Sequence, residues 1–72
     1  MDSIQINYGG KLFNVDIEGG PASFTCHIED AAQPLILERR SDGHWYDQAD
    51  PTTDPELSDK IGMGIEELFQ GR

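Results

Sequence analysis

"SIQINYGGKLFNVDI", Ser3 to Ile17, decides the fold. Ile4, Ile6 and Tyr8 alternate with polar residues in its first half, and Phe13, Val15 and Ile17 do so in its second. That two-residue period is the signature of half-buried strands. Gly9-Gly10 separates the runs, and two glycines suit the positive φ angles of a two-residue hairpin turn. Counting outward from that turn sets Tyr8 opposite Lys11, Ile6 opposite Phe13 and Ile4 opposite Val15. The turn fixes the register, and the register places the apolar pairs on one face.

Outward from this hairpin the pattern repeats in shorter pieces. "EGGPA" interrupts the chain, since glycine and proline punctuate structure strongly. "SFTCHI" then alternates Phe24, Cys26 and Ile28, continuing the apolar face. "EDAAQP" is the next break, "LILER" a fourth strand, and Asp42-Gly43 a tight turn into a fifth, "HWYDQ". Strands are thus expected over about 3–8, 11–18, 22–29, 35–40 and 44–48. "ADPTTDP" is a polar connector that ends in a helix start. Thr53 and Glu56 form a capping box, or Asp54 caps with Pro55 at the first helical position. Leu57, Ile61, Gly64, Ile65 and Leu68 then fall on one helical stripe, so the spacing predicts a helix over about 54–70, ended by Gly71. Gly62 and Gly64 weaken it by about 1 kcal/mol each relative to alanine. The expected fold is α+β: an antiparallel β-meander of four to five strands with one C-terminal helix packed on one face, in a single domain over 1–72.

A chain of 72 residues buries only about 60% of the surface its unfolded form exposes, and small domains of this kind usually lean on a disulfide, a metal or a second subunit. Cys26 is the one cysteine, so no internal disulfide forms. Classical zinc sites need four ligands at recognisable spacings, which one cysteine and two distant histidines do not supply. Self-association is the remaining support. A single helix leaves part of the sheet's apolar face over, which points the same way. The formal charge is −9, from 14 acids against 5 bases. Nucleic-acid and anionic-membrane binding both need basic residues, so both partners are excluded. The start "MDSIQINYGG" lacks the basic and apolar regions of a signal peptide, and no window approaches the ~20 apolar residues of a membrane span. With one free cysteine, the expectation is a cytoplasmic protein.

Few residues carry catalytic chemistry. Cys26 and His27 are neighbours on a strand, so their side chains leave opposite faces and form no dyad. His27 and Glu29 share a face, but two ligands do not make a site, and His44 joins them only if the fold brings it there. From Asp42 to Asp59 there are six acids and no Lys or Arg. Asp47, Asp50 and Asp54 lie in a loop, yet their spacing departs from the calcium-loop pattern. Glu29-Asp30 and Glu66-Glu67 are adjacent pairs that do not face each other. Gly62-Met63-Gly64 lies inside the helical stripe rather than before it, so it is no phosphate loop. No catalytic residue, metal or cofactor is assigned, and the chain reads as a non-enzyme.

"RRSDGHWYDQADP", Arg39 to Pro51, is the best-furnished segment. With a two-residue Asp42-Gly43 turn, Arg40 faces Trp45 and Arg39 faces Tyr46, each arginine opposite an aromatic ring. Burial of Leu35 and Leu37 then puts Tyr46 on the core side and leaves Trp45 with Ile36 outside. Burial of Ile36 and Trp45 instead leaves Leu35, Leu37 and Tyr46. Either arrangement strands an apolar cluster, and Trp, Tyr and Arg are the residues most enriched at binding hot spots. Arg39, Arg40, His44, Trp45 and Tyr46 are therefore the candidate partner contacts.

The layout "KLFNVDIEGG…FTCHIED…PLILER…DGHWY…LSDKIGMGIEELF" resembles short uncharacterised bacterial proteins built as a β-meander followed by one helix. That resemblance implies the same architecture and carries no activity. The leading expectation is a small acidic, non-catalytic protein-interaction module whose partner is another protein or a second copy. The alternatives are an acidic decoy for a basic protein and a divalent-cation-binding or catalytic domain using His27, Glu29, His44 or the loop acids Asp47, Asp50 and Asp54.

Overall fold

Gly9 and Gly10 take φ of 62° and 80° and turn β1 (Asp2–Tyr8) back onto β2 (Lys11–Gly19). Two consecutive positive φ values are the mark of the type I′ turn that matches strand twist. The register is Tyr8–Lys11, Ile6–Phe13 and Ile4–Val15, as the alternation requires. The computed structural model describes residues 2–70, so the expected stop at Gly71 lies outside the described residues. β3 (Phe24–Ile28), β4 (Leu35–Arg39) and β5 (Trp45–Asp47) follow, each antiparallel to its predecessor. The open sheet has the order β1-β2-β3-β4-β5, a pure meander, and one helix, α1 (Pro55–Gln70), packs against it.

The β4–β5 hairpin departs from the expected register by one residue. The Arg40 N–H bonds to the His44 carbonyl at 3.0 Å and the Gly43 N–H to the Arg40 carbonyl at 2.9 Å, with Gly43 at φ 85°. This is a three-residue loop, Ser41 to Gly43, in which a turn is followed by a left-handed glycine. The Asp42 carboxylate accepts the His44 N–H at 2.9 Å and braces it. The pairs become Arg39–Trp45, Glu38–Tyr46 and Leu37–Asp47. A one-residue slip moves every side chain of a strand to the other face. Leu35, Leu37 and Trp45 are consequently all buried together, which corrects both arrangements expected from a two-residue turn. Ile36 and Tyr46, on the other face, are half-buried beside Glu38.

The concave face carries the core. Ile6 from β1, Val15 and Ile17 from β2, Phe24 and Cys26 from β3 and Trp45 from β5 are buried with Leu35 and Leu37, under Ile61 and Ile65 of α1. Ile4, Tyr8, Phe13, Ile28 and Leu57 are partly buried around it, so the part of the apolar face the helix leaves open lies at the Tyr8–Leu57 end.

The helix starts by the second of the two expected caps. The Asp54 carboxylate accepts the Glu56 N–H at 3.0 Å and Pro55 takes the first helical position, while the Thr53 hydroxyl donates to Asp47 at 2.8 Å. The buried line runs through Ser58, Ile61, Gly62 and Ile65, slightly rotated from the expected stripe. A Cβ on Gly62 would overlap the Trp45 indole of β5, and one on Gly64 would overlap the Ile4 side chain of β1. The sheet therefore curls around α1 until its two edge strands flank the same helix. Neighbouring residues of α1 then satisfy main-chain groups on opposite edges. Asp59 accepts the Trp45 N–H at 2.9 Å, and the Lys60 ammonium donates to the Asn7 carbonyl at 2.8 Å. Unpaired edge groups are the weak point of an open sheet, and one helical turn serves both edges here.

Candidate functional site

The five candidate contacts scatter rather than form one patch. Trp45 is a core residue, 6% exposed, with its indole N–H donating to Glu66 at 3.2 Å. Arg39, opposite it, holds the same Glu66 oxygen at 3.2 Å. Arg40 leans the other way, onto the outer face. Its guanidinium lies 4.4 Å from the Tyr46 ring centre and 3.1 Å from Glu38. One arginine–aromatic association thus forms, Arg40 on Tyr46, whereas Arg39, opposite Trp45 in the register, pairs with Glu66. The Tyr46 hydroxyl donates to Asp42, which holds that carboxyl below the ordinary range and raises the phenol; the His44 N–H lowers Asp42 further. His44 is exposed, with Nδ1 3.1 Å from Asp59.

The acid-only segment is mostly local scaffolding. Asp47 accepts from the Ile36 N–H at 3.1 Å and the Ala49 N–H at 2.9 Å, and Asp50 from Thr52 at 2.9 Å. Asp54 caps the helix and also accepts the Tyr8 hydroxyl. Tyr8 first and the Glu56 N–H second hold the Asp54 carboxyl low, and Thr52 does the same for Asp50. These bonds favour the ionised forms of Asp50 and Asp54, so both carboxylates stay charged while they work as turn and cap acceptors.

The remaining chemical candidates are apart. Cys26 is fully buried, its thiol pushed up to about 12 by burial and, second, by the charge of Asp47. His27 leaves the opposite face and meets Glu18 at 3.2 Å. Glu29 is engaged with Asn14, at 3.0 Å to the N–H and 3.3 Å to the side-chain amide. Among the described residues no three His, Cys, Asp or Glu side chains gather as a metal site would need. No described helix is long and apolar enough to cross a membrane.

One concavity unites two of the expected contacts with residues the sequence reading left aside. A groove of about 430 Å³ opens between the Gly20-Pro21 loop, the sheet and the end of α1. Phe24 and Trp45 form its floor with ring centres 5.9 Å apart, and Phe69 stacks on Phe24 at 5.6 Å as one wall. The Arg39–Glu66 pair makes the rim. The sequence signal for Phe69 was its position four residues after Ile65, one turn further along the buried stripe. Glu66 had no such signal, because its role depends on where the indole N–H arrives.

Fold and groove together define a class: a small acidic α+β meander, closed by one helix and carrying an apolar, ion-pair-rimmed groove. No family model, curated protein or solved structure matches the chain.

Proposed function

We propose that this protein is a non-catalytic interaction module that docks a basic segment of another protein, inserting an apolar side chain into the Phe24–Trp45–Phe69 groove. The observation that carries this reading is the groove itself, an aromatic concavity rimmed by an ion pair on a chain of net charge −9. Aromatic residues and arginine dominate binding hot spots, and Trp45 and Arg39 supply both kinds here. Charge complementarity selects the partner, because an acidic surface accelerates encounter with a basic one and repels acidic proteins. Glu66 is the rim group that a Lys or Arg of the partner would engage, in exchange with Arg39. A cytoplasmic setting suits the single buried thiol.

Titration calorimetry with a short Lys/Arg-rich peptide bearing a central Leu or Phe tests the reading, with its Asp/Glu-rich counterpart as control. Binding of the basic peptide, weakened at least tenfold by Phe69→Ala and falling as salt rises, is the expected result. Equal affinity for the acidic peptide, or indifference to Phe69→Ala, would dismiss it. Trp45→Ala is unsuitable as a probe of binding because the indole belongs to the core.

A further inference from the structure

The two edges of the sheet are unequal. β5 has three residues and β1 has seven. Tyr8 and Lys11 flank a two-residue turn and exchange hydrogen bonds, so Ser3, Gln5 and Asn7 direct their main-chain N–H and C=O groups away from β2. Three observed bonds agree with this phase. Asn14, opposite Gln5, spends its main-chain groups on Glu29 on its other side, and the outward Asn7 carbonyl accepts Lys60. Among the described residues, no other hydrogen bond is made by these outward main-chain groups. Edge strands are ordinarily guarded by a lysine, a proline, a bulge or an inward charge. "DSIQINY" has no proline and no lysine of its own, and its one charge is Asp2 at the end. Beside this edge, two hollows of about 390 and 350 Å³ run together along β1 and α1, sharing Gln5, Gly64 and Glu67. Met63, 58% exposed, stands in the helical wall.

We propose that β1 pairs antiparallel with β1 of a second copy, centred on Gln5. That pairing uses the outward groups of Ser3, Gln5 and Asn7 in both copies. It sets Gln5 against itself, Ser3 against Asn7 and Ile4 against Ile6, so uncharged and β-branched pairs meet. A second copy is the occupant because the strand is complementary to itself and is the stretch of this acidic chain where two copies meet without opposing carboxylates across the central pairs. The surface is separate from the aromatic groove. Glu67 and the net charge oppose association, and Lys60 must release the Asn7 carbonyl. Strand pairing also lies at the low end of stable interface areas. The dimer is therefore weak and tightens as salt rises.

Sedimentation equilibrium from about 10 µM to about 1 mM, a range that brackets weak affinities, tests this at low and high NaCl. Wild type is expected to show a reversible dimer, at least threefold tighter at high salt. Gln5→Pro removes an outward N–H without touching a bond to β2, and is expected to be monomeric with an unchanged far-UV spectrum. Lys60→Ala frees the Asn7 carbonyl and is expected to tighten the dimer. Should Gln5→Pro lose its far-UV signal, Gln5→Lys takes its place with the same expectation. A wild type that stays monomeric throughout, a dimer untouched by the folded Gln5 variant, or one abolished by Phe69→Ala instead would overturn the proposal.

Discussion

Trp45 shows how a single residue can be legible in kind and misleading in place. Hot-spot enrichment marks it as a candidate contact, while the alternation leaves open whether it is buried with Ile36 or exposed with it. The structure puts its indole against the backbone of α1 at Gly62, which explains a glycine that helix propensity alone counts as a defect. At an exposed helical position Gly→Ala would stabilise by about 1 kcal/mol. Gly62→Ala is expected to do the reverse, lowering the urea midpoint, because the new methyl would overlap the indole ring. Trp45→Ala is expected to cost about 3–5 kcal/mol, the usual range for removing a buried aromatic. In the Trp45→Ala background Gly62→Ala should become neutral or stabilising. Additive effects in the double mutant would mean the two positions do not touch. Cys26 gives a second residue-scale test. With its thiol buried and raised to about 12, labelling by a thiol reagent at pH 8 should be undetectable in the native protein and complete in urea. Rapid native labelling would mean that β3 opens readily.

At the scale of elements, both hairpins are read from the same kind of signal, and one reading succeeds where the other slips. Gly9-Gly10 offers the two consecutive positive φ positions of a two-residue turn, and the register counted from it puts the apolar pairs on one face. Asp42-Gly43 offers only one, Gly43, and a three-residue loop with a left-handed glycine satisfies it equally well. Nothing in the segment decides between the two until Leu37 and Trp45 must share a core. The helix start was legible as a pair of alternatives, and Asp47 settles it by drawing Thr53 away from capping. The acid-only segment it belongs to, Asp42 to Asp59, makes a prediction about pH. Asp42, Asp50 and Asp54 have folded-state pKa values below the ordinary 3.8. On acidification the unfolded chain takes up protons first, so their contribution is present above that range and is lost as pH falls through the folded values. Tyr8 and Tyr46 are raised above 10.0 by the same hydrogen bonds. Their contribution is present below the unfolded value and is lost as pH rises through the folded one. Urea midpoints measured across pH should accordingly fall at both extremes. Tyr8→Phe removes the Asp54 bond and should shrink both limbs, whereas an unchanged profile would show that bond to be absent in solution.

The curl of the sheet belongs to the whole molecule, and no local pattern announced it. Alternation says which face of each strand is apolar, not that β1 and β5 approach one helix from opposite sides. Asp59 and Lys60 read as ordinary solvated charges until both edges are in place. Charge is a whole-molecule property too, and it sets the last expectation. The protein measures 27 × 27 × 20 Å. At 0.01 M salt the screening length is about 30 Å, so every charge interacts with every other; at 1 M it is about 3 Å. Fourteen acids against five bases make the average interaction repulsive, and unfolding relieves it by spreading the charges apart. Among the described residues the Lys/Arg ion pairs, Arg39–Glu66 and Arg40–Glu38, are about half exposed on the arginine side and contribute only ~0–1 kcal/mol each, so screening them costs little. Net repulsion wins, and raising NaCl from 0.01 to 0.5 M should raise the melting temperature. A gain of 1 kcal/mol corresponds to about 4–8 °C for a domain of this size. Dimerisation through β1 would raise it as well, by mass action. The two causes separate in Gln5→Pro at low concentration, where the salt effect should survive intact. If it vanished there, the stabilisation would belong to the dimer; if melting fell with salt in both proteins, the ion pairs would outweigh the repulsion.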